Sequence, residues 1–314
     1  MNVSVIICTY NRSESLRRTL QSLKEMSVSD NIGWELLIVD NNSTDKTKEV
    51  VNDFIKVSGL NCRYVFEGKQ GLSNARNRGV KEAGGEIIAF TDDDVIVDKY
   101  WLQNMAKVFK GNNVSCVGGR IFPIWGKPCP KWLINNLWLL SCLYGPLALL
   151  DYGDNQFYLD KSILWGANLA VRKRMFGKHG SFNASLGRMR GKLYAGEDTA
   201  FIRKLIENGE KVLYVPDVIV HHCIPSKRMR KSYFRKWWFN FGEMQAVLKG
   251  PYQGRNIMGI PLYEIKQTGM RFFQWTLTLP LSGPKRFEKE EKLLSDVGSI
   301  SGRLKVKWCK KYNS

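Results

Sequence analysis

Several things are scarce in this chain, and each scarcity excludes something. The seven cysteines (Cys8, Cys62, Cys116, Cys129, Cys142, Cys223, Cys309) are odd in number and widely spaced, with no Cys-x-x-Cys pair. A disulfide scaffold and a structural zinc site are therefore not expected, and a reducing compartment is. Histidine occurs only three times. No apolar run approaches the roughly 20 residues that span a bilayer. The most apolar stretch, Trp132 to Leu150, is interrupted by Asn135, Asn136, Ser141, Gly145 and Pro146. The run Val3 to Cys8 is too short for the apolar core of a signal peptide, about 7–15 residues, and reads as a buried strand, so export is not expected. Internal repeats and low-complexity tracts are absent. Acidic residues are in deficit: 29 Asp and Glu face 48 Lys and Arg, a formal charge of +19.

What is present is an ordinary globular composition, 44% hydrophobic and 25% charged, in 314 residues. That length suits about two domains with ample core. The positive charge is concentrated towards the C-terminus. Ser226 to Ser314 carry 19 basic and 6 acidic residues, a net +13, against +6 for the first 225. The opening of that region, Lys227 to Phe241, interleaves cations with aromatics (Tyr233, Phe234, Trp237, Trp238, Phe239, Phe241). Peripheral attachment to an anionic membrane fits this pattern, because interfacial Trp and Phe accompany the cations. A solvated basic helix with its aromatics packed inward also fits. Nucleic acid is not an expected partner, since no recognisable nucleic-acid motif accompanies the charge.

The first 110 residues alternate between two periodicities. Apolar β-branched runs at Val3–Cys8, Trp34–Val39, Cys62–Phe66 and Glu86–Phe90 predict strands. Between them, Ser13–Leu23 (with Ser13 as N-cap), Thr44–Ile55 and Leu72–Ala83 carry apolar residues at helical spacing. Strand and helix in alternation predict an α/β fold with a mostly parallel sheet flanked by crossover helices. In such sheets ligands bind beyond the carboxyl ends of the strands. Three of those ends are polar here: Thr9-Tyr10-Asn11-Arg12, Asp40-Asn41-Asn42-Ser43 and Asp92-Asp93-Asp94. Further on, a helix is expected over Thr199–Asn208, and one or two strands over Lys211–Val215 and Val218–His222.

Three adjacent carboxylates repel one another and call for a cation or many donors. Mg²⁺ or Mn²⁺ with a diphosphate suits Asp92, Asp93 and Asp94, and capping of the following helix is the simpler role. Arg76 and Arg78 stand near the start of a helix, where a phosphate could bind or where they could be surface arginines. Glu197 and Asp198 open another helix, as dipole partners or as a general base. His221 and His222 end a strand, so only one of them can face a site.

Taken in order, VSVIICTYNR (3–12), ELLIVDNNSTDKT (35–47), GLSNARNRG (71–79), IIAFTDDDV (87–95), GAN (166–168), GEDTAF (196–201) and YVPDVIVHH (214–222) resemble the family 2 glycosyltransferases. That resemblance covers roughly the first 225 residues. It implies a GT-A fold, a Rossmann-like sheet, over residues 1–225; residues 226–314 follow as a basic, aromatic, mainly helical extension whose pattern fits membrane-peripheral attachment. It implies transfer of a sugar from a nucleoside-diphosphate sugar to a hydroxyl of a glycan or lipid-linked acceptor, with inversion. Polysaccharide or lipid-linked glycan synthesis is the setting it implies, and the basic aromatic tail points to a lipid-linked acceptor at the cytoplasmic face of the cell membrane.

The same resemblance assigns roles. Thr9, Tyr10, Asn11, Arg12, Asp40 and Asn42 would hold base and ribose, and Arg76 the diphosphate. Asp92 and Asp94 look like the Asp-x-Asp motif, the first near the ribose and on the metal side and the second on Mg²⁺ or Mn²⁺, although the triplet also allows Asp93 with Asp94 as the working pair. His222 looks like the metal-side histidine, with His221 as the alternative if the register slips. Asp198 looks like the catalytic base with Glu197 beside it, and Gly166, Ala167 and Asn168 would line the sugar and acceptor side. The basic loop Leu186 to Tyr194 is a candidate lid over the diphosphate. A sugar nucleotidyltransferase is the competing enzyme class, but its Gly-rich phosphate loop is missing after the first strand. A non-enzymatic basic binding module would have no use for the acidic residues.

Overall fold

The computed structural model of the chain describes residues 1–137, 141–187, 196–280 and 283–311. Met1–Ile124, Ala148–Arg190 and Gly196–Cys223 make a first compact unit, and Trp125–Leu147 with Ile224–Ser314 a second.

The first unit opens as β1 (Asn2–Thr9), α1 (Ser13–Lys24), β2 (Gly33–Asp40), α2 (Thr47–Ser58), β3 (Cys62–Phe66), α3 (Leu72–Glu82) and β4 (Ile87–Asp92). After β4 come β5 (Val95–Val97), α4 (Trp101–Gly111) and β6 (Cys116–Trp125). The short elements α5 (Lys131–Ile134), α6 (Tyr144–Leu147) and β7 (Phe157–Tyr158) lead to β8 (Asn168–Arg172), α7 (Arg174–His179), α8 (Glu197–Glu207) and β9 (Val212–Ile224). The main sheet runs β3-β2-β1-β4-β8-β6-β9-β5, with β7 on β9. β1 lies parallel to β2 and to β4, and β2 parallel to β3. β4 meets β8 antiparallel, so the parallel order ends where the site residues stand. β1 and β2 are buried almost throughout, which is why both read as continuous apolar runs rather than alternating ones.

One expectation is corrected here. Ser13 is not the N-cap of α1: the helix starts at Ser13, and its amide is held by the Asp45 carboxylate at 3.0 Å, which substitutes for a local cap. Of the one or two strands expected over Lys211–Val215 and Val218–His222, the structure has one, β9, running through Pro216.

In the second unit, α9 (Lys231–Lys249) is followed by a hairpin, β10 (Asn256–Ile257) and β11 (Ile260–Pro261), then α10 (Leu262–Thr276) and α11 (Pro284–Lys311). The cation–aromatic run at 227–241 resolves as an amphipathic surface. Phe234 and Trp238 are buried while Lys231, Arg235 and Lys236 are exposed. Trp132 packs edge-on to both Phe234 and Phe287 at 5.4 Å between ring centroids, which seats α5 on the C-terminal helices of the same unit. α9 and α11 cross closely at glycines. A Cβ on Gly242 would stand 1.8 Å from the Ser295 carbonyl oxygen, and one on Gly298 2.0 Å from that of Phe239, so both positions require the absent side chain. Among the described residues no helix is long and apolar enough to cross a membrane.

Candidate active site

The parallel register brings the polar ends of β1, β2 and β4 side by side: Thr9 lies opposite Asp40, and Cys8 opposite Asp92. The loop after β1 is laced to the loop after β2. Asn11, in the left-handed region at φ 51°, accepts the Thr44 and Asp45 amides on its Oδ1, and its own amide donates to Ser43 Oγ. Only a short polar side chain takes that conformation at small cost while bonding the neighbouring loop. Asn42, at φ 66°, is exposed on the same rim, and Tyr10 is half-buried.

The other residues expected to hold the nucleotide are more deeply set than the sequence suggests. Asp40 is buried, with the Ser43 amide on Oδ1 at 2.9 Å and the Tyr64 hydroxyl on Oδ2 at 2.8 Å. Burial and that acceptor push the Tyr64 hydroxyl well above its ordinary value. Asp40 thus organises the end of β2. Asn41, which sequence reasoning passed over, is buried and ties down the chain entering α3: its amide nitrogen donates to the Glu67 and Lys69 carbonyls, and its oxygen accepts the Gly71 amide. Its position directly after a strand end was the only signal available.

The acidic triplet divides by partner. Asp93 is buried, accepts the Thr9 hydroxyl at 2.8 Å, and accepts Arg12 Nη1 at 2.8 Å. The same Arg12 nitrogen lies 2.7 Å from Asp94 Oδ2. Burial, reinforced by Asp94, raises the Asp93 carboxyl against the opposing pull of Arg12. Arg12 therefore serves the carboxylates, whereas the resemblance had set it on base and ribose. Asp94 Oδ1 is 3.3 Å from His222 Nε2, and β9 alternation turns His221 the other way, onto the Phe122 ring at 6.0 Å. His222 is the histidine on the Asp94 side of the strand. Asp92, at the end of β4, is the most exposed of the three, with Arg76 Nη2 at 3.5 Å.

Arg76 is the clearest departure from expectation. It is not an open phosphate ligand: the side chain is buried, its Nη1 is 2.5 Å from Glu197 Oε1, and its guanidinium lies over the rings of Phe90 and Phe182. Arg78 is half-exposed and paired with Glu82 one helical turn on, at 3.0 Å. Gly166 lets Arg76 through, since a Cβ there would stand 2.2 Å from Nη2. Burial raises the Glu197 carboxyl, and Asp198 beside it adds to the rise against the pull of Arg76.

Asp198 sits at the N-terminal turn of α8, buried, with one oxygen accepting the Gly166 amide at 2.7 Å and the other the Thr199 amide at 2.7 Å. Asn168 does not face a sugar. It is buried, accepts Trp101 Nε1 at 2.8 Å, and donates to the Arg120 and Val218 carbonyls, bracing β8 against its neighbours. Ala167 is buried too, and its carbonyl accepts the Thr91 hydroxyl. Of the candidate lid, Leu186 is buried and Gly187 takes φ 89°, while residues 188–194 lie outside the described residues.

Could this site hold a divalent cation? Among the described residues no group of three His, Cys, Asp or Glu side chains converges in the manner of a closed protein cage. One carboxylate and one imidazole do meet, Asp94 and His222. Mg²⁺ and Mn²⁺ accept such oxygen-rich, partly substrate-supplied coordination, in which one or two carboxylates share the ion with phosphate oxygens. The donor set fits an ion completed by its substrate.

The profile described as Glycosyl transferase family 2 matches residues 4–192. The chain belongs to that family. This glycosyltransferase is 25% identical over 260 residues to the glucosyl-dolichyl phosphate glucuronosyltransferase of Haloferax volcanii, covering 80% of this chain and 79% of that one. It is 24% identical over 316 residues to the succinoglycan biosynthesis protein ExoM of Rhizobium meliloti, covering 100% and 96%. Its fold is that of the mannosyltransferase PcManGT from Pyrobaculum calidifontis, solved with GDP-Man and Mn²⁺. The TM-score is 0.61 at 16% identity, over 95% of this chain and 86% of that one. It is also like TarS 1-349 of S. aureus solved with UDP-GlcNAc, with a TM-score of 0.53 at 17% identity over 100% and 93%. The architecture is GT-A: a mixed α/β unit with a mostly parallel central sheet flanked by helices, followed by a helical C-terminal part.

Proposed function

We propose that this glycosyltransferase moves a sugar from a nucleoside-diphosphate sugar to an acceptor hydroxyl, with inversion and with the help of a divalent cation, in the assembly of a glycan or lipid-linked acceptor at an anionic membrane surface. The observation that carries the reading is the Asp198 carboxylate, fixed by two backbone amides at the head of α8 in the same unit as the Asp94–His222 pair. Such fixation, with the Thr199 hydroxyl a longer 3.4 Å from the same carboxylate, orients a general base chiefly through backbone donors. In the displacement, the acceptor oxygen bonds to the anomeric carbon, the bond from that carbon to the diphosphate oxygen breaks, and the acceptor proton passes to Asp198.

Asp94 and His222 would hold Mg²⁺ or Mn²⁺, whose chemistry is to neutralise the charge growing on the departing diphosphate. Arg12 bridges Asp93 and Asp94, Thr9 holds Asp93, and the rim residues Tyr10, Asn11 and Asn42 are the accessible groups for the nucleoside. Glu197 keeps Arg76 beneath Gly166, whose amide orients the base. The similarity to a dolichyl phosphate glucuronosyltransferase and to a polysaccharide biosynthesis protein supports a lipid-linked or polysaccharide setting.

Asp198→Asn tests the assignment. Turnover should fall by about 10²–10⁴-fold, while a thermal shift with the cognate nucleoside diphosphate and Mn²⁺ is retained. Near-normal turnover by this variant would remove Asp198 from the role.

A further inference from the structure

α10 is turned inside out for a helix of a water-soluble surface. The face it applies to α11 is polar: Gln267 and Arg271 both reach Asp296 Oδ1, at 3.1 and 2.6 Å, and Glu264 pairs with Arg303 at 2.9 Å. The opposite stripe, at spacings of four and three, holds Leu262, Lys266, Met270, Phe273 and Leu277. Met270 is 52% exposed, Phe273 63% and Leu277 62%, and no residue of the helix is buried. A helix stabilised by packing would present these side chains to its neighbour. The hairpin that leads directly into α10 repeats the pattern. Ile257 and Met258 are exposed at its turn, and Met258 occupies the left-handed region at φ 53°, an uncommon place for an apolar residue other than glycine.

We propose that the outward stripe of α10, with the apolar turn of the β10–β11 hairpin, lies in the interface of an anionic phospholipid bilayer. This rests on the membrane-peripheral part of the reading above and names the element responsible. Charge selects the occupant. Lys266 stands within the apolar stripe, and Arg255 and Lys285 are exposed close by in sequence. A lysine there can bury its stem and lift its ammonium to a headgroup phosphate, which a dry protein interface would not offer. A second copy of the chain is disfavoured, because residues 226–314 carry a net +13 and would meet their own charge. Of the α9 aromatics that seemed from the sequence to be interfacial, Phe234 and Trp238 are buried within the unit and unavailable to lipid, while Tyr233, Trp237, Phe239 and Phe241 are half-buried.

The test is co-sedimentation of the full chain with phosphatidylcholine vesicles and with mixed phosphatidylcholine–phosphatidylglycerol vesicles. Wild type should bind the anionic vesicles preferentially, and added salt should weaken binding. Met270→Glu with Phe273→Glu should lower that binding by at least about tenfold, from the apolar area lost. Because both side chains are exposed, circular dichroism and the nucleotide-dependent thermal shift should be unchanged. Equal vesicle binding by the double variant, or none by wild type, overturns the proposal. So does a concentration-dependent dimer that the double variant disperses, since the stripe is then a self-interface. The nucleotide shift reports separately: its absence from every variant strikes the transferase site, whatever the vesicles show.

Discussion

Gly166→Ala is the substitution on which the structure speaks most sharply. The new Cβ would stand 2.2 Å from Arg76 Nη2, 2.6 Å from Cζ and 2.8 Å from Nη1. Unstrained carbon contacts begin near 3.5 Å, so the guanidinium has to retreat by roughly 1 Å. It has little room to do so. Glu197 holds Nη1 at 2.5 Å, and the rings of Phe90 and Phe182 lie 5.9 and 5.7 Å from Cζ. If the loop yields, the cost is overpacking, about 1–3 kcal/mol. If the ion pair yields, a buried carboxylate loses its partner, at about 3–5 kcal/mol. We expect a loss of about 2–4 kcal/mol, read as a lower urea midpoint with unchanged slope. A fall in turnover should accompany it, because the Gly166 amide orients Asp198. The control is the same substitution in an Arg76→Met background, where the planar head group is gone and the added methyl should cost less than about 0.5 kcal/mol. The reasoning is refuted if Gly166→Ala lies within about 0.5 kcal/mol of wild type, or if its cost is equal in both backgrounds.

Two further expectations follow from the same unit. Burial raises the Glu197 carboxyl from 4.5 to about 7, so its contribution to stability is full below 4.5 and lost as pH rises through about 7. Glu197→Gln should flatten the decline of the urea midpoint across that window, and an unchanged decline would show that Glu197 is not its source. His222→Ala should weaken the Mn²⁺-dependent part of the nucleotide thermal shift by about 10–100-fold in affinity, as loss of a metal-site partner does. His221→Ala, on the Phe122 side of the strand, should leave that part intact, and the opposite ranking would reverse the register argument.

β1, β2 and β4 were legible because they are largely buried on both faces and so write themselves as unbroken apolar runs. The polar strand ends stood out against those runs, and their meeting at one sheet edge follows from parallel connection alone. Roles within the site were legible only in part. Arg76 and Arg78 look alike in sequence, two residues apart on α3, and only packing shows that one is buried against Glu197 and the other pairs with Glu82 at the surface. Asn168 and Asn41 were hidden for the same reason: each satisfies backbone groups of strands and loops that are distant along the chain.

Sequence by itself determined the alternation of strand and helix, the acidic triplet at the end of β4, and the basic excess of the C-terminal part. These are local properties, set by periodicity and by composition. Tertiary structure alone decided which carboxylate meets which cation, which of two histidines faces Asp94, and which aromatic residues reach solvent. Those outcomes depend on strand register, side-chain alternation and helix rotation. α10 shows the difference most plainly: its periodicity is ordinary for an amphipathic helix, and only the ion pairs of Glu264 and Arg271 with α11 fix which face turns outward.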